Sequence, residues 1–379
     1  MRSPFVDDAV RGVHRAVARV AGRIDGLVLD RMERRMRATV PRRQGPRDGL
    51  QDARPRLLEL ASFYGDGTLG TPSRFFPAPP RVQVTERPAP DGPEGARVTD
   101  LAFESPYVPF RPDHRREHDS YPENLTARAR LYTLRPAAGA PPRPVMVLIH
   151  GWGGGHYWLE ERAFAVPYWL RRGYDVALAV LPFHGPRSPT GKSGALFPSA
   201  HVVRTNEAFG QAVMELRALR AHLARRGAAV GAMGMSLGGY TTALWASVDP
   251  DLAFAVPMIP AVDMADLMWR HGETSPALRR ASAAGVDADL LREVFAVHAP
   301  TTRPPLTPAA GLMIVAGRGD RITPPDQAER LWRHWGECPI HWFPGGHLAQ
   351  VGRGDAFRAV RRRLDALGLT PPSAARSPR

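Results

Sequence analysis

The chain has one cysteine, Cys338, and one lysine, Lys192, in 379 residues. A single thiol excludes an intrachain disulfide, and nothing in the cysteine usage points to an oxidising compartment. Long apolar runs are missing as well: no stretch approaches the roughly 18 residues that cross a bilayer as a helix. The opening MRSPFVDDAVRG places two aspartates and a glycine where a signal peptide would carry an unbroken apolar segment, so the expected location is cytoplasmic. No His/Cys cluster has zinc-site spacing, and no metal or organic cofactor is implied.

With lysine nearly absent, arginine supplies the net charge of +14. The excess is spread over the N-terminal segment, the region near Arg115 and the C-terminal RAVRRRLDAL. It lacks the aromatic interleaving that organises a nucleic-acid surface, and no nucleic-acid partner is expected. At the N-terminus the charge coincides with an amphipathic pattern. Val6, Val10, Val13, Val17, Val20, Ile24 and Leu27 recur at helical steps of four and three, while Arg11, Arg15, Arg19 and Arg23 line another face. This predicts a basic helix within residues 1–40. Its stripe is expected to dock on the protein's own body, with a peripheral membrane surface or a partner helix as the alternatives. Gly12, Gly22 and Gly26 weaken an isolated helix and favour a docked one.

What is present in quantity is apolar residues, 43% of the chain, enough for a large core. VPRRQGPRDG and ERPAPDGPEGAR are too rich in proline, glycine and charge to fold alone, so residues 41–95 read as a linker and N-terminal arm. ARVTDLAFESP and TARARLYTLRP then suit an antiparallel pair. From PVMVLIHG onward, strands and helices alternate: YDVALAVLPFHG, AAVGAMGM, LAFAVPMIPAV, GLMIVAGRG and CPIHWFPGG are strands, and a helix is expected from about Thr205 to Arg226. That alternation predicts an α/β fold over residues 96–368, with a doubly wound, mostly parallel sheet and ligands beyond the carboxyl ends of its strands. A helical cap insertion is expected at about 264–306 and a disordered tail over 369–379.

Two glycine-rich stretches are decoys. GPRSPTGKS encloses five residues between Gly185 and Gly191 where a phosphate loop needs four, and its prolines remove backbone donors. GWGGGHYW has His156 at the last small position of a dinucleotide fingerprint.

The stretch GAAVGAMGMSLGGYTTALW, Gly227 to Trp245, begins as a buried strand and continues as a helix. It sets Ser236 between Gly234 and Gly238 in the pattern Gly-x-Ser-x-Gly. The pattern puts a nucleophile on a sharp turn, where a side chain two positions to either side would collide with the neighbouring strand and helix. A serine hydroxyl needs a base, and the base an orienting acid, in the chain order serine, acid, histidine. Asp320 in GRGDRITPP and His347 in FPGGH follow consecutive strands in that order, with Asp263 in IPAVDMADL as the rival acid. The oxyanion donors are expected to be the backbone N–H of Leu237 and, from the HGWGGG loop, that of Trp152. Gly151, Gly153, Met235 and Trp269 are expected to contact substrate, and His150 reads as structural. In the cap, Met264, Leu267, Met268, Trp269, Leu290, Leu291 and Phe295 suit packing or an acyl site. Arg187 reads as a solvated surface group, or as a ligand for a substrate carboxylate or phosphate.

In this order HGWGG, GMSLGG, GRGDRITPP and FPGGH resemble the α/β-hydrolase superfamily, over about residues 96–368. More narrowly, FESPYVPF, HGWGGGHYWLEERAFAVPYWLRRG, LPFHGPRSP, GMSLGGY and GGH resemble the α/β-hydrolase-domain family numbered eighteen and its bacterial relatives. The resemblance implies a serine hydrolase fold with Ser236, Asp320 and His347 in the triad positions. The expected activity is cleavage of a carboxylic ester, lipid or other acyl esters included, through an acyl-enzyme on Ser236. A peptidase or acyltransferase would use the same residues, and a catalytically silent scaffold is the non-enzyme alternative. The expected partner is a small-molecule or lipid acyl ester.

Overall fold

The computed structural model describes residues 12–27, 29, 53–135, 139, 141–272 and 276–369. Val6, Val10, Arg11 and the tail from residue 370 lie outside the described residues. In chain order the elements are α1 (residues 12–27), α2 (Ala53–Gly65), β1 (Thr85–Ala89), β2 (Arg97–Glu104), α3 (Arg115–Asp119), β3 (Thr126–Thr133), β4 (Val145–Ile149), α4 (Tyr157–Ala163), α5 (Val166–Leu170), β5 (Asp175–Val180), α6 (Val202–Ala224), β6 (Val230–Met235), α7 (Leu237–Ala246), β7 (Ala255–Met258), α8 (Met264–Gly272), α9 (Pro276–Ala283), α10 (Ala288–Phe295), β8 (Ile314–Gly317), α11 (Pro325–His334), β9 (Ile340–Phe343) and α12 (Arg353–Ala366). They make a mostly parallel sheet with helices on both sides. Among the described residues no helix is long and apolar enough to cross a membrane.

The chain divides into two compact units. One gathers the described residues within Pro72–Met258, Pro304–Met313 and Ala359–Arg379. Its strands run in the order β1-β2-β3-β5-β4-β6-β7. The β1, β2, β3 and β5 contacts are antiparallel, whereas β4 lies parallel between β5 and β6, and β6 runs parallel to β7. β4 reads VMVLI and is buried at every position, as a strand covered on both faces must be. α6 spans 23 residues, starts where the His201 ring accepts from the Arg204 N–H at 3.1 Å, and buries Phe209, Val213, Leu216 and Leu219. The proline-rich stretch read as a linker includes strand β1, whose residues are almost all exposed. Pairing with β2 needs only backbone hydrogen bonds, so an edge strand forms without an apolar face, and Pro88 is tolerated there.

The other unit gathers the described residues within Met1–Thr71, Ile259–Arg303 and Ile314–Arg358. Its β8 and β9 are parallel, joined through α11, with Gly317 opposite Phe343 at their carboxyl ends. The insertion expected after β7 is helical: α8, α9 and α10, the last capped by Asp287, which accepts from the Leu290 N–H at 2.8 Å. Leu290, Leu291 and Phe295 are buried, as are Met264 and Leu267, while Met268 and Trp269 are half-buried.

Helix α1 docks in this unit, but by a different face from the one its stripe suggested. Val13, Val20, Ile24 and Leu27 are 41–66% exposed, and the buried positions are Ala21, Gly22 and Asp25. Close backbone approach explains the reversal: a Cβ on Gly22 would stand 3.1 Å from the Gly319 carbonyl oxygen, and one on Gly319 only 2.5 Å from that of Ala18. Small residues allow this seam where the larger valines would hold the helix away.

Candidate active site

Within the first unit, β6 ends at Met235 and α7 starts at Leu237, with Ser236 between them at φ 58°, ψ −115°. A non-glycine residue keeps such a conformation only when its surroundings over-determine it. Here the Ser236 N–H donates to the Met258 carbonyl and its own carbonyl accepts from Tyr240, both at 3.0 Å. The flanking glycines are a steric requirement. A Cβ on Gly234 would fall 2.1 Å from the Gly238 oxygen, and one on Gly238 would fall 2.0 Å from the Ile149 oxygen. Ser236 itself is half-buried in an otherwise buried run, and its side chain does not cap α7.

The loop after β4 passes beside it: a Cβ on Gly151 would lie 3.3 Å from the Ser236 Cβ. Three anchors hold this loop. His150 is 1% exposed; its Nδ1–H donates to the Gly151 carbonyl at 2.8 Å and its Nε2 accepts from the Leu181 N–H at 3.0 Å, which sets the tautomer. Burial, then the neighbouring His184, hold its pKa well below the ordinary histidine value, so the ring is neutral. The Trp152 indole donates to the Gly194 carbonyl at 2.7 Å. Glu160 of α4 accepts from the Gly155 N–H at 2.9 Å, and burial pushes its carboxyl above the usual range. Sequence reasoning missed Glu160; its signal was an acid in the first turn of the helix that follows a glycine-rich loop. Gly153 turns at φ 79°, Met235 is buried one residue before the serine, and Leu237 opens the helix.

In the second unit the turns after β8 and β9 bring Asp320 and His347 together. The His347 Nδ1 lies 2.8 Å from the Asp320 Oδ2, and both residues are buried. Asp320 is held in turn by its Oδ1, which accepts from the N–H groups of Ile322 and Thr323 at 2.9 and 2.8 Å. The Thr323 hydroxyl donates to the Ile259 carbonyl at 2.9 Å and lies 3.0 Å from Asp320 and 3.1 Å from His347. Burial disfavours the imidazolium, but the Asp320 charge and hydrogen bond, with a further contribution from Asp25, outweigh it and raise the His347 pKa above 6.5. The glycines before His347 are packing positions too: a Cβ on Gly345 would meet the Val351 nitrogen at 2.4 Å, and one on Gly346 the Asp25 carboxylate at 2.6 Å.

The remaining sequence candidates lie elsewhere. The Asp263 Oδ2 accepts from Arg292 at 2.7 Å and Arg330 at 2.8 Å, and its Oδ1 caps α8 through the Asp266 N–H. Arg187 is neither solvated nor a substrate ligand. Fully buried, it makes a bidentate pair with Glu215 at 2.7 and 2.8 Å and donates to the carbonyls of Val180 and Asn124. A guanidinium fork matched to a carboxylate can be buried where a lone charge could not. Trp269 stands half-buried on α8.

Comparison with known proteins bears on the fold and the family. Residues 94–280 match the family model described as alpha/beta hydrolase domain containing 18. Two uncharacterized proteins of Mycobacterium tuberculosis, from strains CDC 1551 / Oshkosh and ATCC 25618 / H37Rv, are 32% identical over 346 residues, covering 85% of this chain and 80% of theirs. Among solved structures, the chain is similar to an acetyl xylan esterase from Paenibacillus sp. R4, at TM-score 0.55 and 13% identity over 84% of this chain and 99% of that one. It is similar also to acetyl xylan esterase 1 from Thermoanaerobacterium sp. JW/SL YS485, at TM-score 0.52 and 14% identity over 85% and 99%. At these identities the two esterases speak for the fold. The family model and the mycobacterial relatives show that the chain belongs to the α/β-hydrolase family of the domain-containing-18 type.

Proposed function

We propose that the protein is a serine hydrolase of the carboxylesterase type, cleaving carboxylic acyl esters, lipid esters among them, through an acyl-enzyme on Ser236. The observation that carries the reading is Ser236 itself: a half-buried hydroxyl at φ 58°, between glycines that could not carry a side chain. Nothing in helix packing calls for that strain, whereas a nucleophile presented off a sheet does.

In the proposed cycle the His347 Nε2 takes the hydroxyl proton as Ser236 attacks the ester carbonyl, and Asp320 on Nδ1 orients and stabilises the imidazolium. The backbone N–H groups of Leu237, at the start of α7, and of Trp152 are assigned to the developing oxyanion. His347 then protonates the departing alcohol, and water activated by the same ring releases the acid and regenerates Ser236. Gly151, Gly153, Met235 and Trp269 are assigned contacts with substrate. The Asp320 bond to His347, against the Arg292 and Arg330 pairing of Asp263, supports Asp320 as the acid.

A fluorophosphonate probe tests the reading. Wild type is expected to become covalently labelled and Ser236→Ala to stay unlabelled, with a series of p-nitrophenyl esters then ranking acyl length. A wild-type chain that resists the probe and hydrolyses none of these esters would leave the silent scaffold standing. The proposal extends to where the enzyme works. The exposed Val13, Val20, Ile24 and Leu27, beside the exposed Arg15, Arg19 and Arg23, support peripheral contact of α1 with an anionic membrane surface.

A further inference from the structure

Among residues 11–27 the only acidic side chain is Asp25. It is 0% exposed, on the face of α1 that docks in the unit holding Asp320 and His347. Its Oδ2 accepts from the His347 N–H at 2.7 Å and from the Arg321 N–H at 3.2 Å, while its Oδ1 accepts from the Leu348 N–H at 3.1 Å. One carboxylate thus ties together the turn that follows Asp320 and the turn that carries His347, from about 300 residues away in sequence.

The surroundings are shaped for it. Gly346 leaves room that a Cβ would take, and the Gly22–Gly319 seam lets α1 come close enough for a side chain as short as aspartate to reach. A helix docking only for hydrophobic burial would turn its valines inward and its acid out. This one does the reverse, at the cost of burying a charge, which is stable because amide donors on both oxygens satisfy it.

We propose that Asp25 is a positioning residue of the hydrolase: its carboxylate fixes the backbone on both sides of the Asp320–His347 pair, so that the imidazole keeps its orientation through turnover. This rests on the serine-hydrolase reading above and adds α1 to the machinery that the reading assigns to the two turns. Among the described residues, the groups that face the imidazole are the Asp320 carboxylate and Thr323 hydroxyl at Nδ1, and the Asp25 carboxylate at the backbone of its own turn. Asp25 is therefore a second negative charge beside the base, and it contributes to raising that ring's pKa.

The test is full-length Asp25→Asn, which keeps volume and one acceptor oxygen but removes the charge and sets an NH2 group against an amide donor. With p-nitrophenyl acetate, kcat is expected to fall about tenfold to a hundredfold while KM stays within about twofold, as for loss of orientation without loss of binding. Because the active base is neutral His347, removing a charge that favours its protonated form is expected to move the acid limb of kcat/KM to lower pH. Loss of packing alone would not move it. A folded Asp25→Asn chain with wild-type kcat and an unmoved acid limb overturns the inference yet leaves the hydrolase reading intact; absence of probe labelling in wild type defeats the reading itself. Should the variant not fold, amide hydrogen exchange in the wild type decides. Slow exchange of the His347 and Leu348 amides is expected, and fast exchange of both would show that the carboxylate does not hold them.

Discussion

Asp263 and Asp320 follow successive strands and carry the same functional group, yet the charges around them divide their roles. The guanidiniums of Arg292 and Arg330 pair with Asp263, which also caps α8. Asp320 has backbone amides on one oxygen and the His347 imidazole on the other. The comparison of Asp320→Asn with Asp263→Asn is accordingly expected to be lopsided. Asparagine at 320 presents the wrong partner to Nδ1–H and should lower kcat by a factor on the order of 10⁴, the scale seen when a triad acid is neutralised. Asparagine at 263 loses ion pairs that are partly solvated and should keep kcat within about threefold, with a loss of stability of about 1 kcal/mol or less in urea unfolding. Silenced turnover in the second variant with near-normal turnover in the first would transfer the role to Asp263.

At the scale of elements, legibility followed the physical signal each one carries. β4 and β6 were readable because a strand buried on both faces must be continuously apolar, and the β6–α7 turn because its glycines answer a steric demand that sequence displays directly. β1 was hidden because edge pairing is made by the backbone, which every residue type shares. The docked face of α1 was misread for a related reason. Hydrophobic periodicity weighs side chains by apolar size, whereas this helix packs through Ala21 and Gly22 and is pinned by a carboxylate. Glu160, Thr323 and Asp25 support the site through backbone amides or a neighbouring side chain, and no short motif marks such partners. The turn itself makes a sharp prediction. Gly238→Ala would put a methyl group 2.0 Å from the Ile149 oxygen, at the end of the strand that leads into the HGWGGG loop. Overpacking of this kind costs about 1–3 kcal/mol. Because the strain falls between α7, which Ser236 precedes, and that loop, the variant should lose the proposed ester hydrolysis while still unfolding as a cooperative unit in thermal melts. Wild-type turnover would mean that the turn has slack the distances do not allow.

The molecule as a whole carries a net charge of +14, and on α1 that excess lies beside exposed apolar side chains. Between α1 and the segment after His347 lies an apolar hollow of about 290 Å³, lined by Val17, Val20, Ile24, Ala349 and Val351 among others. An anionic bilayer would supply negative headgroups to Arg15, Arg19 and Arg23 and hydrocarbon to the exposed valines. Each arginine near such a surface contributes about 1 kcal/mol, and the attraction fades once salt shortens the Debye length to about 3 Å at 1 M. Full-length protein should therefore co-sediment with vesicles containing phosphatidylserine at low salt, be released at high salt, and ignore pure phosphatidylcholine. Val20→Ser with Ile24→Ser alters only exposed positions and leaves Asp25 in place. It should weaken vesicle binding several-fold without changing kcat on a soluble ester, separating the side of α1 proposed to face a membrane from the side that holds His347. Equal sedimentation with neutral and anionic vesicles, or no effect of the paired serines, would mean that the stripe serves some other contact and that the charge of this chain is not an address.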